Sequence, residues 1–380
     1  WSSDVCSSDL IILTGGTDTA QNIARSNPAT PLSAETGGKN AIILTASGDR
    51  DHAIMNIVAS AFGNAGQKCS ACSLLLVERS VYEDKNFQDK LKDAATSMKV
   101  GSVWNPGNVV GPMITNKNDK LLKALELEKG ESWLVPPRFL DKHKYVLAPT
   151  VKWGVRPGNY SFRTELFGPM LSVVCIENLQ QGINWVNSLD YGLTSGLQSL
   201  DEGEQKLWKD SIMAGNLYIN RGITGAIVNR QPFGGMKLSA FGGGVKAGGP
   251  NYCACFVKIT DKLGSTTDYT QSYVKAYEQE FAHARDVNNL YGEQNAFRYL
   301  PLKNMVLRLF PGDNNEDAKM IALAARICHT PLSISFEPGD DRTAALASLG
   351  CPLKEEALAG FLKSMKNYER IRTCGADIDR

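Results

Sequence analysis

Two cysteines three residues apart, Cys69 and Cys72 in "GQKCSACS" (66–73), are where chemistry could first sit in this chain. Such a pair admits three uses: a thiolate nucleophile, two metal or redox ligands, or two small buried hydrophobes. A zinc site needs two further ligands at recognisable spacing. The four histidines (52, 143, 283 and 329) are scattered, and Cys253-x-Cys255 is not a usual half-site, so no metal site is expected. A redox dithiol sits between a strand and the start of a helix; here a helical pattern precedes the pair and a strand-like run follows it. Burial is therefore the better reading for Cys72 and, taken alone, for Cys69 as well. About thirty residues upstream, "AETGGKNA" (34–41) places Glu35 ahead of two glycines. That is a common exposed acid beside a turn, but a carboxylate held at a bend can also act as a general base.

The elements that must position these groups alternate between strand and helix. "IILT" (11–14) is a short apolar run, followed by "GGTDTAQNIA", where Thr17 or Asp18 can cap a helix. "NAIILTA" (40–46) and "SLLLVE" (73–78) read as strands around a helix over 49–66, whose Ile54, Ile57, Val58, Ala61 and Phe62 share one stripe. "VYEDKNFQDKLKDAATSM" (81–98) reads as one amphipathic helix, 100–165 as loops with short strands, and "LSVVCIE" (171–177) and "GNLYIN" (215–220) as strands. This alternation predicts an α/β architecture with a largely parallel sheet. The glycines of 222–251 lie between bulky residues, which indicates a structured loop region. Beyond the polar segment 260–272, "NMVLRLF", "NNEDAKMIALAARICH" and "LSISF" form a second strand–helix–strand unit, with "YERIRT" (368–373) as a final strand.

Composition narrows the partners. A net charge of +1 over 380 residues argues against nucleic acid or a membrane surface. No apolar run approaches the ~20 residues needed to span a bilayer. Nine irregularly spaced cysteines do not form a disulfide framework, so reduced thiols in a cytoplasmic setting are expected. Residues 1–10, "WSSDVCSSDL", resemble translated adapter sequence and are set aside as an artefact.

Taken together, Phe62-x-x-x-Gly66-Gln67-x-Cys69 and Glu35-x-Gly37-Gly38-Lys39 resemble the two active-site signatures of the aldehyde dehydrogenase superfamily, in matching order and separation. "TELFGP" (164–169) resembles that family's Glu-x-Phe-Gly-Pro cofactor motif, and "PFGG" (232–235) its late loop. "AETGGKNAIILTA", "GQKCSACSLLLVE", "VKWGVRPG", "YGLTSGLQSLD", "NLYINRGITGAIVNRQPFGG" and "KAGGPNY" closely resemble one branch, the L-glutamate γ-semialdehyde (Δ1-pyrroline-5-carboxylate) dehydrogenase module of bifunctional proline utilisation A proteins. The match runs from about residue 11 to 260, and "FRYLPLKNMVLR" and "YERIRT" resemble the C-terminal domain of the longer members. One departure is "GGMKLSAFGGG", where "GGMGKSAFGPG" is expected.

The resemblance implies NAD-dependent oxidation of glutamate semialdehyde, with Cys69 attacking the aldehyde carbon and Glu35 activating the water that hydrolyses the thioester. It implies cofactor contacts from Gly15, Gly16, Thr17, Gly37, Glu165 and Phe167: backbone N–H groups toward the pyrophosphate, Glu165 on the nicotinamide ribose, Phe167 beside the ring. Substrate contacts fall to Phe62, Ser70, Thr224, Gly225, Ala226 and Phe233. The implied fold is a partial Rossmann-type NAD domain (11–37), a catalytic domain (38–260) and a second Rossmann-like α/β domain (273–380). A homo-oligomer is expected, with an FAD-dependent proline dehydrogenase domain as a possible upstream fusion. In this family the nucleotide fold begins upstream of "IILTGGT", so the chain is expected to be N-terminally truncated and nearly inactive alone. Two alternatives stay open: a CoA-acylating dehydrogenase, against which Glu35 speaks, and a non-catalytic assembly fragment of a larger enzyme.

Overall fold

The computed structural model describes residues 10–227, 230–243, 245–257 and 269–374. They form two compact units, one running to Val257 and one beyond it.

The centre of the first unit is a seven-stranded sheet in the order Asn216–Ile219, Thr194–Gln198, Asn40–Leu44, Cys72–Glu78, Met170–Ile176, Thr150–Trp153 and Ser132–Val135. Every pairing is parallel except that of the edge strand Ser132–Val135. The central strands are almost continuously apolar because both faces are covered. Ile42, Leu44, Leu75, Val77 and Val173 face the helices Arg50–Phe62 and Lys85–Ser97. Ala41, Ile43, Leu74, Leu76 and Val174 face Leu179, Ile183 and Val186 of the helix Leu179–Asn187, together with Trp208. A residue-by-residue alternation inside "NAIIL" thus feeds two cores, not one.

A separate three-stranded sheet carries Ile11–Gly15 parallel to Leu32–Thr36, with Ala240–Phe241 antiparallel on the other side. The strand–helix pair at its start agrees with the sequence, but the expected cap does not. Gly16, in an extended conformation, occupies the N-cap of the helix Thr17–Ser26, and no side chain caps it. Thr17 instead pairs its hydroxyl with that of Tyr191 at 3.0 Å. The single helix expected over 81–98 is two, Arg79–Tyr82 and Lys85–Ser97. Asp84 divides them, because its side chain accepts the Asn86 N–H at 2.9 Å and starts a new helix there.

The second unit holds four parallel strands in the order Leu353–Glu355, Leu332–Phe336, Met305–Arg308 and Arg370–Thr373. In chain order this is 3-2-1-4, the arrangement of a Rossmann half. The helix Asn315–Ile327 buries Ala318, Ala322 and Ala325 against Leu307, Ile334 and Phe336. The strand Leu353–Glu355 has no counterpart in the sequence pattern; it is three residues long and lacks an apolar run. No helix of the described residues is long and apolar enough to cross a membrane.

Candidate active site

Cys69 stands where the chain leaves the helix Arg50–Phe62 and enters the strand Cys72–Glu78. The expected helix over 49–66 stops at Phe62, because Asn64, Ala65 and Gly66 all take positive φ (55°, 54° and 65°). At Gly66 the left-handed backbone coincides with a close approach: a methyl there would lie 2.3 Å from the Gly168 carbonyl oxygen. Only glycine satisfies both conditions. The turn therefore packs the Cys69 loop onto the end of "TELFGP".

Asn40 fixes the loop from below. Its Nδ2 donates to the carbonyls of Cys69 (2.7 Å) and Ala71 (3.0 Å), and its Oδ1 accepts the Thr194 N–H at 3.0 Å. Asn40 opens the strand that lies between Thr194–Gln198 and Cys72–Glu78, so one buried amide ties three strands to the cysteine. The sequence motifs give Asn40 no role. Its only signal is that of a polar residue heading an otherwise apolar strand.

The two cysteines have different environments. Cys72 is 1 % exposed and donates to the Leu74 carbonyl at 3.4 Å, and burial pushes its pKa up to about 12. That is an inert core thiol. Cys69 is half-buried, and its pKa is also raised, first by burial and then by the negative charges of Glu165 and Glu35, against the Ser70 N–H. Burial and the two charges disfavour the thiolate, while the Ser70 N–H favours it.

Glu35 lies on the strand Leu32–Thr36, in register with Thr14 on one side and Ala240 on the other. Its Oε2 accepts the Gly235 N–H at 3.2 Å. Burial pushes the Glu35 pKa up to about 7, opposed by the Gly235 N–H and by Lys246. A carboxyl poised near neutrality suits proton abstraction from water.

Glu165 accepts the Gly38 N–H at 2.8 Å, and Gly37 sits so close that a methyl there would lie 2.2 Å from Oε2. Burial raises its pKa, while the Gly38 N–H, Lys120 and Lys39 oppose the rise. Phe167 is 41 % exposed beside it. The backbone of "ETGGK" thus joins the Glu35 strand to the Glu165 carboxylate. Lys39, fully buried and with its pKa lowered to about 7 by that burial, donates to the Ser73 carbonyl at 3.3 Å.

Gly15, Gly16 and Thr17 form the strand-to-helix turn of the small sheet. Gly16 has open space around it and the helix start lacks a side-chain cap, so its first N–H groups are available to an anion. With Glu165 and exposed Phe167, this arrangement fits a dinucleotide's phosphate and ribose.

The substrate-contact residues divide. Thr224, Gly225 and Ala226 are exposed or half-buried and follow Ile223, which is anchored by its N–H on Ser60 Oγ at 3.0 Å. Phe233 is held by two backbone bonds to Ala247, each 3.0 Å. Phe62 requires correction: it has no exposed surface and packs wholly within the core against the main sheet, so it supports the site without reaching it. Ser70 is 3 % exposed, and its N–H faces the Cys69 thiol. Among the described residues no cluster of His, Cys, Asp and Glu could hold a metal ion. A cavity of about 460 Å³ lies in the second unit, lined by Arg326, Thr330, Ser333 and Cys351, and includes none of these groups.

Residues 5–261 match the aldehyde dehydrogenase family. A 1-pyrroline-5-carboxylate dehydrogenase of Bacillus subtilis is 35% identical over 221 residues, 58% of this chain and 42% of that protein. One of Geobacillus kaustophilus is 36% identical over the same length and the same shares. The structure of proline utilization A from Corynebacterium freiburgense matches with a TM-score of 0.79 and 37% identity, covering 95% of this chain and 41% of that one. The 1-pyrroline-5-carboxylate dehydrogenase from Thermus with bound NAD matches with a TM-score of 0.60 and 33% identity, covering 66% and 49%. The chain spans less than half the length of the curated relatives it matches.

Proposed function

The chain belongs to the aldehyde dehydrogenase family, and from that premise we propose that it supplies the catalytic half of an NAD-dependent L-glutamate γ-semialdehyde dehydrogenase. The observation that carries the reading is that the two ends of one "ETGGKN" segment serve one site: Asn40 holds the loop of the half-buried Cys69, and Glu35, a carboxyl poised near pH 7 and fixed by the Gly235 N–H, acts on the Cys69 thiol. Relatives named for 1-pyrroline-5-carboxylate, the cyclic form of the semialdehyde, support the substrate class.

The Cys69 thiolate adds to the aldehyde carbon and forms a C–S bond, while the Ser70 N–H lies where it can stabilise developing negative charge. A bound NAD would supply the acceptor for the hydride that leaves that carbon. Cys69 then carries a thioester. Glu35 takes a proton from water as the water oxygen adds to the acyl carbon, and the C–S bond breaks to return the thiol and release the carboxylic acid. Glu165 and Phe167 would orient the cofactor, as would the Gly15–Thr17 turn. Thr224, Gly225 and Ala226 would meet the substrate's own carboxylate. The division of residues 11–37 from 38–260, a homo-oligomer, a cytoplasmic setting and fusion to a proline dehydrogenase are parts of the same reading. The proline utilization A structures support the last.

The test is NADH formation from L-glutamate γ-semialdehyde, by the chain itself and by the chain joined to the remaining length of its Bacillus subtilis relative. Free glutamate as product supports the reading. Glutamyl-CoA formed only when CoA is added would favour the acylating alternative.

A further inference from the structure

We propose that Lys246 is a positioning residue for Glu35, fastening the 232–235 loop over the carboxylate and supplying a positive charge beside it. This rests on Glu35 being the base for acyl-enzyme hydrolysis. The glycine-rich late loop provides the N–H that holds Glu35.

A chain of contacts links the two groups. The Lys246 Nζ donates to the Gly215 carbonyl and lies 3.4 Å from Asn216 Oδ1. Asn216 in turn donates through Nδ2 to the Pro232 carbonyl at 3.0 Å and accepts the Gly234 N–H at 3.2 Å. The next residue, Gly235, gives its N–H to Glu35. Gly234 lies between the two side chains: a methyl there would be 2.9 Å from Glu35 Oε1 and 3.0 Å from Lys246 Cγ. The bonds between Phe233 and Ala247 close the loop next to the lysine.

Among the described residues, one cation is seen to act on Glu35. Its sheet neighbours Thr14 and Ala240 carry none. Lys237, on the same loop, donates to the carbonyls of Asn187 and Leu189. The Glu165 and Glu35 charges both act on the Cys69 thiol. Lys246 is the cation acting on Glu35, and its own pKa is lowered to about 8 by burial, with Glu35 opposing the fall. Removing the cation leaves a half-buried carboxyl with less to offset burial, so its pKa rises. The carboxylate, the form that accepts a proton, is then present only at higher pH.

The test uses the full chain and needs no cofactor. p-Nitrophenyl acetate acylates a reactive cysteine with a burst of p-nitrophenolate, and the slow phase that follows reads deacylation. In the parent chain the slow phase should rise through a limb near pH 7. Lys246→Gln keeps a donor but loses the charge. It should retain the burst, move the limb up by ~1 pH unit, and slow deacylation at pH 7 about fivefold. Lys246→Arg should keep the limb near its parent position. An unmoved limb in Lys246→Gln overturns the proposal. Should that variant unfold, a displaced limb in Lys246→Arg overturns it instead. A burst that survives Cys69→Ser, a limb that survives Glu35→Gln, or no burst in the parent would refute the functional reading itself, and the proposal with it.

Discussion

Substituting alanine for Gly66 strikes the turn that delivers Cys69. Two costs combine at that position. An L-residue at a φ of 65° loses roughly 1–2 kcal/mol against glycine. The added methyl would also sit 2.3 Å from a backbone oxygen, Gly168 O, and 3.0 Å from the helical Ala61 O, so backbone rather than a flexible side chain must yield. Together these should reach at least about 3 kcal/mol, a large part of a typical domain's ~5–15 kcal/mol. Gly63, three residues earlier, is the control. Its φ of −54° suits any residue and an added methyl would meet nothing within 4 Å, so Gly63→Ala should be neutral or slightly stabilising. Urea unfolding followed by tryptophan fluorescence reads this directly, since all six tryptophans precede Val257 and the second unit is silent. Gly66→Ala variants within 0.5 kcal/mol of Gly63→Ala, about the noise of a surface change, would refute the packing of the nucleophile turn on Gly168.

Three further outcomes are expected. Iodoacetamide at pH 8 should label Cys69 well before Cys72, as peptide mapping would show, because burial pushes the Cys72 pKa up to about 12; Cys72→Ser should accordingly keep most turnover while Cys69→Ser abolishes it. Asn40→Ala strands two carbonyls and one N–H in the interior, which should cost about 2–4 kcal/mol in the same urea assay. In a chain competent for NADH formation, glutamate semialdehyde should outperform an uncharged aldehyde of equal length in kcat/KM, since only the former offers a carboxylate to the Thr224–Ala226 donors.

The main sheet is legible in the sequence because its strands are apolar on both faces: "NAIIL" and "SLLLVE" can be little else between two amphipathic helices. The break at Asp84 is not, since an aspartate inside an amphipathic pattern looks like solvent-facing helix until its side chain is seen to cap. Phe62 illustrates the converse error. A motif position near the nucleophile suggests a substrate contact, whereas the helical stripe it shares with Ile54 and Ile57 already assigns it to the core. Lys246 and Asn40 escape sequence reading because their partners are backbone atoms and residues far along the chain, which no local spacing encodes. Positive φ at Asn64 and Ala65 is equally hidden, as neither residue type announces it.

The central claim is that Cys69 carries the acyl group and Glu35 releases it. Mass spectrometry of the Glu35→Gln chain, quenched during reaction with p-nitrophenyl acetate, tests it most directly. The account predicts one acetyl group on the Cys69 peptide, persisting in Glu35→Gln at pH 8 while the parent clears it, because at that pH the parent carboxyl, with a pKa of about 7, is mostly ionised and competent as a base. Acetyl on Cys72, or equal clearance with and without the Glu35 carboxylate, would contradict it.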